Sequence, residues 1–500
     1  MTEIFSPKVK ALALLGSRLH FVALEMTCWM FQHKKFPFQA EKNFIIGRSF
    51  IILCPIMNFY MKTFLKSIFL TAMALFATAK PVFAQENEQH QGKHYQFTLE
   101  DCIRYAFSNS YDRQSMELGV ESQEVTYNQS RESRLPSVSA SASESYSHNK
   151  HTEGFSGNAS LGAQVVLYQG GNINKTIEHN RLSVERSNMQ IEQYDDQLSV
   201  QILQAFLTAL GNNELLHYQE IMLQSSREQM KQGRTRYSVG SILESDMLLL
   251  EAQYLSDSTN ILETRIKLDN NIMALKVLLS MDPLDNLQII QPDTDNLEDL
   301  TASLPTEEEA IELALDYFPT LKLNEYDILL SENNISIAKS GYLPSLSANA
   351  SIGTGHYDFD NLGQQFSDSF NQSVGITLNI PIYSRGQTRS NVKRNKIALE
   401  QAQLDYEQTQ LDVRQTVAIA YHNVLSAYNT YKSSELKEIA YNKSYKAYEV
   451  QFNYGKITTV DLLQQQNNYL NALNTYIQNK YSLVLQRKVL DVYMGKEITL

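Results

Sequence analysis

The sequence predicts a mainly α-helical chain with a β-barrel part, in which long antiparallel coiled-coil helices carry four strands. Three observations predict this. The chain contains an internal duplication, its helical stretches are far longer than those of an ordinary globular domain, and four runs of ten or so residues alternate apolar and polar side chains. No apolar run in the body of the chain reaches the ~18 residues that a membrane-crossing helix needs. A membrane-spanning part would therefore have to be built from strands.

Taken in order, the N-terminal region reads as a targeting segment. From Met61 the chain has a basic start at Lys62 and Lys66, a short apolar core from Ile68 to Ala79, and the small-residue pattern Val82-Phe83-Ala84. That is the layout of a secretory signal peptide over 61–84, with Gln85 opening the mature chain. Residues 1–60 are then an upstream extension before a true start at Met61; the other reading is a long n-region or a poorly ordered extension. Residues 1–84 hold ten of the 43 Lys and Arg and three of the 55 Asp and Glu, so 33 basic and 52 acidic residues remain, a net charge of −19. An exported chain this acidic is a poor nucleic-acid binder, because phosphate contacts need basic side chains. Cys28 and Cys54 also fall upstream, so Cys102 alone remains and no intramolecular disulfide can form.

The duplication is visible by eye. Leu135-Pro136-Ser137-Val138-Ser139-Ala140 recurs as Leu343-Pro344-Ser345-Leu346-Ser347-Ala348, at a shift of 208 residues. Beyond the strands the shift becomes 215, matching Tyr168 with Tyr383, Gly171 with Gly386, Gly240 with Gly455, and Asp246 with Asp461. The second copy thus carries about seven extra residues between its strands, within Gly353–Asp368, where a loop tolerates insertion. Copy one covers 98–282, copy two 305–498, and 283–304 links them.

Each copy opens with a predicted helix of about 37 residues, over 98–134 and 305–341. Thr98 with Asp101 and Thr306 with Glu309 suit reciprocal N-terminal caps. Leu-Pro ends each helix, since proline disfavours helix at the residue before it. Pro136 and Pro344 therefore mark the points where the chain enters the barrel. In the second strands, Ala159, Leu161, Ala163, Val165 and Leu167 in copy one, and Val374, Ile376, Leu378, Ile380 and Ile382 in copy two, share one face. Ser, Gly, Asn, Thr and Gln fill most of the other. The first strands do the same more weakly, and Tyr168 and Tyr383 close the second strands at the level of an aromatic girdle. A soluble sheet packed on helices leaves the small polar face unexplained; a water-filled lumen accounts for it. Four strands cannot close a barrel, and an open edge cannot face lipid. The chain must then oligomerise, two copies giving eight strands and three giving twelve.

Long helices follow the strands, about 172–238 and 387–453, with return helices over 242–281 and 457–495. At 1.5 Å per residue the long ones span roughly 100 Å. Apolar residues recur at three-to-four spacing, as at Val413, Val417, Ala420 and Val424, which is a coiled-coil seam. Gly240 and Gly455 supply the left-handed position that lets a helix stop and reverse. Asp246 and Asp461 lie six residues further on. An acid there favours a helix N-terminus, or forms a ring of carboxylates at the open end of a tube.

These residues together resemble the TolC-like outer-membrane efflux proteins over nearly all of the mature chain. The resemblance rests on the duplication, the Leu-Pro-Ser segments, the Tyr-x-x-Gly turn at Tyr237–Gly240 and the glycine-to-aspartate spacing in both halves. It implies a homotrimer with a twelve-stranded barrel in the outer membrane and a helical tunnel across the periplasm. It also implies an adaptor, or membrane fusion protein, docked on the tunnel tips, with an inner-membrane pump supplying energy. By the same resemblance Asp461 matches an acidic constriction residue of the tunnel mouth, with Asp246 its counterpart in copy one. Gln464 stands where the family has a second acid, and Ile457 where its best-known members have a basic locking residue. Tyr237, Gly240, Tyr454 and Gly455 match the tips on which the adaptor docks.

Enzymatic chemistry finds no footing in the sequence. Gly455-Lys456-Ile457 lacks the first glycine and the hydroxyl residue of a phosphate loop. His90, His94, His148 and His151 fall in predicted loops without ligand spacing, so no metal or cofactor is expected. The expected function is a passive exit duct of a tripartite efflux or type I secretion system. The alternative is a periplasmic coiled-coil interaction protein without a pore; a secreted hydrolase is a weaker third.

Overall fold

The computed structural model describes residues 93–148, 153–291, 304–357 and 360–498. The expected extension 1–60 and signal segment 61–84 lie outside the described residues. The rest forms one unit. Its elements in chain order are β1 (His94–Phe97), α1 (Leu99–Asn109), α2 (Tyr111–Glu132), β2 (Ser137–His148), β3 (Glu153–Gln169), α3 (Asn172–Ser238) and α4 (Glu244–Leu278). Then come β4 (Asn286–Ile289), α5 (Glu307–Tyr317), α6 (Pro319–Ser340), β5 (Ser345–His356), α7 (Leu362–Asp368), β6 (Asn371–Asn379), α8 (Gln387–Asn453) and α9 (Thr459–Tyr493).

The two long helices, α3 and α8, each have 67 residues, roughly 100 Å of rise. Shorter helices stack end to end beside them. Towards the strands the wall runs α2–α3–α6–α8; towards the far tips it runs α4–α3–α9–α8. One edge of the chain is therefore α2 and α4, and the opposite edge is α8 throughout. The wall is held by apolar side chains at helical spacing. Leu198, Ile202, Phe206 and Leu210 of α3 meet Leu473, Ile477 and Tyr481 of α9, and α1 packs on them through Leu99, Cys102 and Ala106. A second cluster joins Ala310 and Ala314 of α5 to Val413, Val417 and Val424 of α8.

The opening helix of each copy is broken, where one continuous helix of about 37 residues was expected. Ser110 ends α1 and starts α2, with φ −59° and ψ 122°, and its hydroxyl accepts from the Arg113 backbone N–H. Phe318 does the same between α5 and α6 with nearly equal dihedrals, φ −51° and ψ 116°, and Pro319 follows at the first helical position. Proline there loses no hydrogen bond but excludes a continuous helix. The kinks fall at equivalent repeat positions and swing α1 and α5 onto the wall. Thr98 with Asp101 and Thr306 with Glu309 form the reciprocal caps.

Part of the expected linker 283–304 is ordered as a strand. β4 pairs in parallel with β1, from His94 opposite Asn286 to Phe97 opposite Ile289. This two-stranded sheet closes copy one onto its own beginning. Leu287 is buried in the main core.

The four long strands form one antiparallel sheet in the order β2-β3-β5-β6. One face carries Val138, Ala140, Leu161, Ala163, Ala350, Val374 and Ile376; the other carries Ser141, Ser160, Asn158, Asn349, Ser351 and Ser373. A bulge between Val166 and Tyr168 interrupts the expected alternation and leaves Leu167 without a partner residue on β5. The extra residue turns Tyr168 to the apolar face, opposite Leu346. β6 is also shorter than expected, ending at Asn379 ahead of Pro381, so Ile380 and Ile382 lie beyond it. The insertion in copy two contributes α7, tied to β5 by Thr354 Oγ1 donating to the Phe366 carbonyl at 2.5 Å.

Candidate functional site

The features that bear on transport lie at the two ends of the wall. At the strand end, apolar side chains point out of the sheet with no covering element among the described residues. Val374, Ile376 and Leu378 are 87%, 71% and 59% exposed. A soluble protein does not leave such a row in water. The opposite face is laced by hydroxyl contacts, Ser141 with Ser160 at 2.8 Å and Ser351 with Ser373 at 2.8 Å. One face is thus matched to lipid and the other to water. Pro136 and Pro344 immediately precede Ser137 and Ser345, the first residues of β2 and β5.

At the far end each long helix reverses through a glycine with positive φ, +73° at Gly240 and +70° at Gly455. The turns match bond for bond. Gly240 N–H donates to the Tyr237 carbonyl at 2.9 Å and Ser241 N–H to Arg236 at 2.8 Å; Gly455 N–H donates to Phe452 and Lys456 N–H to Gln451, both at 2.9 Å. These bonds satisfy carbonyls that a helix end leaves open. Tyr237 and Tyr454 stand exposed beside them, 41% and 77%.

The expected constriction residues lie in different local settings. Asp461 is the third residue of α9 and closes a reciprocal cap with Thr458, whose hydroxyl and backbone N–H donate to its carboxylate at 2.6 and 3.2 Å. These two donors hold its pKa below the usual carboxylate value. Asp246 has the equivalent position in α4, but the residue before that helix is Leu243, which offers no side-chain cap. Gln464 is exposed and donates to Asn468 Oδ1 at 3.2 Å. Ile457 packs against the main core.

Arg236 was not singled out by the sequence. It lies in the last turn of α3, and its guanidinium crosses to the other tip. Nη1 donates to the Phe452 carbonyl at 3.1 Å and Nη2 to the Asn453 carbonyl at 2.8 Å. The same group lies 5.1 Å from the centre of the buried Phe452 ring. A cation on the last carbonyls of a helix is favoured by the helix dipole. Arg236 therefore caps the C-terminus of α8 from outside and ties the two tips together. The contact joins residues 216 and 217 positions apart, so no local pattern announces it.

Mid-height on the wall, Asp196 of α3 lies in a crevice of about 350 Å³ with Val200, Phe318, Val492 and Tyr493. Tyr317 donates its hydroxyl to both carboxylate oxygens at 3.1 Å. Burial nevertheless pushes the Asp196 pKa up to about 6, assisted by the neighbouring Asp195 and Glu192 charges. Among the described residues no group of three His, Cys, Asp or Glu side chains is placed to hold a metal. His90 and His151 lie outside the described residues.

A lipid-matched sheet mounted on a helical wall of roughly 100 Å defines a barrel-and-tunnel channel subunit. The model of the outer membrane efflux protein family matches residues 103–280 and 310–496, and the chain belongs to that family. The outer membrane protein TolC of Vibrio cholerae is 23% identical over 390 residues, covering 72% of this chain and 87% of that one. TolC of Escherichia coli is 24% identical over 386 residues, covering 74% and 76%. Among solved structures, CusC, described for its transmembrane channel formation, superposes with a TM-score of 0.70 at 18% identity, over 80% of this chain and 92% of that one. The protein is thus an outer-membrane channel of the efflux and type I secretion class, with its helical part in the periplasm.

Proposed function

We propose that three copies close head to tail into one duct, with twelve strands in the outer membrane and a wall of twelve helices below. One observation carries this reading: both edges of the chain expose apolar stripes, and the stripes match in height. α2 exposes Tyr111, Leu118 and Val125, and α4 exposes Leu248, Leu255, Leu262, Ile266, Met273 and Val277. On the other edge α8 exposes Ile397, Leu404, Leu411, Leu425, Leu436 and Ile439. Most of these recur every seven residues or alternate steps of seven and four, the spacing of a helix–helix seam. Counting about 1.5 Å per residue from the strand end, Val125, Leu118 and Tyr111 stand level with Ile397, Leu404 and Leu411. Counting from the tips, Leu262 stands level with Leu436. The open strands β2 and β6 belong to the same two edges. A heterologous contact of this kind closes into a ring, and it removes the strand edges that lipid cannot tolerate.

In this duct the serine-lined strand face borders water and the apolar face borders outer-membrane lipid. Pro136 and Pro344 turn the chain from helix to barrel. Residues 61–84 direct export. The tips at Tyr237, Gly240, Tyr454 and Gly455 receive a periplasmic adaptor, and an inner-membrane pump supplies energy through it. Asp461, Asp246 and Gln464 line the mouth. Arg236 takes the place of the absent lock at Ile457 by holding the two tips of each copy together. No catalytic step, cofactor or nucleic acid enters this account.

Planar-bilayer recording on the detergent-purified protein tests it. The proposal expects a trimer with stable ion conductance. A monomer that washes off membranes and conducts nothing overturns it in favour of a periplasmic coiled-coil protein.

A further inference from the structure

About 20 Å above the tips, counting 1.5 Å per residue along α4, the apolar wall is interrupted by a polar pit of about 140 Å³. Its polar lining is Gln219 from α3, Asp257 and Asn260 from α4, and Asn471 and Asn474 from α9. Asp257 forms the floor and is only 4% exposed. Its carboxylate accepts from the Ser226 hydroxyl, from Gln253 Nε2 at 2.8 Å and from Gln466 Nε2 at 3.0 Å. Every one of these donors is neutral. A buried carboxylate is normally paired with a cation or coordinates a metal.

Two nearby amide oxygens also lack any hydrogen-bond donor. Gln466 is fully buried, and its amide oxygen has no hydrogen-bond partner. It cannot be rescued by turning the amide over, because Nε2 is committed to Asp257 Oδ2 and Ser226 Oγ at 3.0 Å each. Turning it would set oxygen against carboxylate. The amide oxygen of Gln219, on the pit wall, is also buried without a partner. On the lining itself, the Asp257 carboxylate and the side-chain oxygens of Gln219, Asn260, Asn471 and Asn474, drawn from three helices, make an all-oxygen donor set, while Gln466 touches Asp257 from outside the lining. Such a set suits a hard cation, and flexible side chains on separate helices suit calcium better than the smaller magnesium, which demands rigid octahedral geometry.

We infer that the pit floored by Asp257 is a binding site for a hard divalent cation of the calcium type. Bound there, the ion fastens α4 and α3 of the first copy to α9 of the second, stiffening the wall above the mouth. Burial raises the Asp257 pKa, as expected of a carboxylate without a cationic partner, and the ion would lower it.

Terbium luminescence on the mature, delipidated, detergent-purified protein tests the inference. The mature chain has no tryptophan, and Tyr218 and Tyr469 adjoin the pit residues Gln219 and Leu470 in sequence, so sensitisation comes from tyrosine. The wild type should show terbium emission that calcium displaces, and millimolar calcium should raise its Tm by several degrees. Asp257→Asn, which keeps an acceptor but removes the charge, should weaken both at least tenfold. Equal emission and equal Tm shift in the wild type and this variant overturn the inference and leave the pit to ordered water. Should Asp257→Asn not fold, Asn474→Ala carries the same comparison: binding several-fold weaker supports the site, and unchanged binding overturns it.

Discussion

Arg236 is the residue on which the closed mouth of the tunnel should depend most. Replacing it by methionine keeps an apolar stem against Phe452 but removes both hydrogen bonds to the α8 carbonyls and the cation over the ring. Hydrogen bonds from a charged donor contribute about 1.5–3 kcal/mol each when shielded. A cation–π contact adds about 0.5–1 kcal/mol at an open site. Arg236 is half-buried at a tip surrounded by water, so screening reduces the sum to about 2 kcal/mol. If the bonds exist only while the tips are together, that energy favours closure, and losing it multiplies the open-to-closed ratio by roughly 30. Single-channel recording in planar bilayers reads that ratio directly. Arg236→Lys, which can reach one carbonyl but not both, should give an intermediate value. An Arg236→Met trimer whose open probability stays within threefold of the wild type would refute the assignment.

Other changes test separate links. Asp461→Asn removes a full carboxylate from the cap with Thr458, and if Asp461 lines the mouth, cation selectivity should fall or leak should rise; unchanged conductance and selectivity in bilayers would count against it. Ile376→Lys puts a charge in the middle of the apolar strand face, at a cost of about 2–4 kcal/mol near the bilayer midplane, and should reduce the fraction of protein recovered in outer membranes; normal recovery would mean that this face does not meet lipid. For Asp196 the folded pKa of about 6 exceeds its ordinary 3.8. The folded chain then binds more protons than the unfolded chain between those values, so this group makes stability fall as pH rises from about 4 to 6. Asp196→Asn should therefore raise Tm at pH 7 and not at pH 4. Its half-exposed position limits the gain to about 1 kcal/mol, and a loss of Tm at pH 7 would contradict the reasoning.

Much of this architecture is legible in the sequence because its determinants are local and repeated. The turns at Gly240 and Gly455, the caps at Thr98 and Thr306, and the strand alternation each follow from a few neighbouring residues. What was not legible depends on contacts between distant segments or on competing local signals. The break at Ser110 carries no proline and reads through as helix, while its repeat partner at Phe318-Pro319 carries the clearer signal. β1 and β4 are four residues each, too short for alternation to stand out, and they pair across 192 positions. The bulge at Leu167 cannot be seen in one strand alone, since it exists only relative to β5. The capping of α8 by Arg236 is likewise a meeting of two tips that no spacing rule connects.

A closed ring requires the α2 edge of one copy to meet the α8 edge of the next. Within one chain the wall runs α2–α3–α6–α8, so α2 and α8 stand at opposite edges. Leu118 and Leu404 lie level, and both are exposed in the single chain. Cys102, the one other thiol of the mature chain, is buried, and burial pushes its pKa up to about 12, so it should not interfere. A Leu118→Cys, Leu404→Cys double variant, oxidised in the outer membrane and run without reductant, tests that contact directly. Covalent dimers and trimers that collapse to monomer on reduction are expected. Monomer alone, with both thiols still free to alkylate, would contradict the contact.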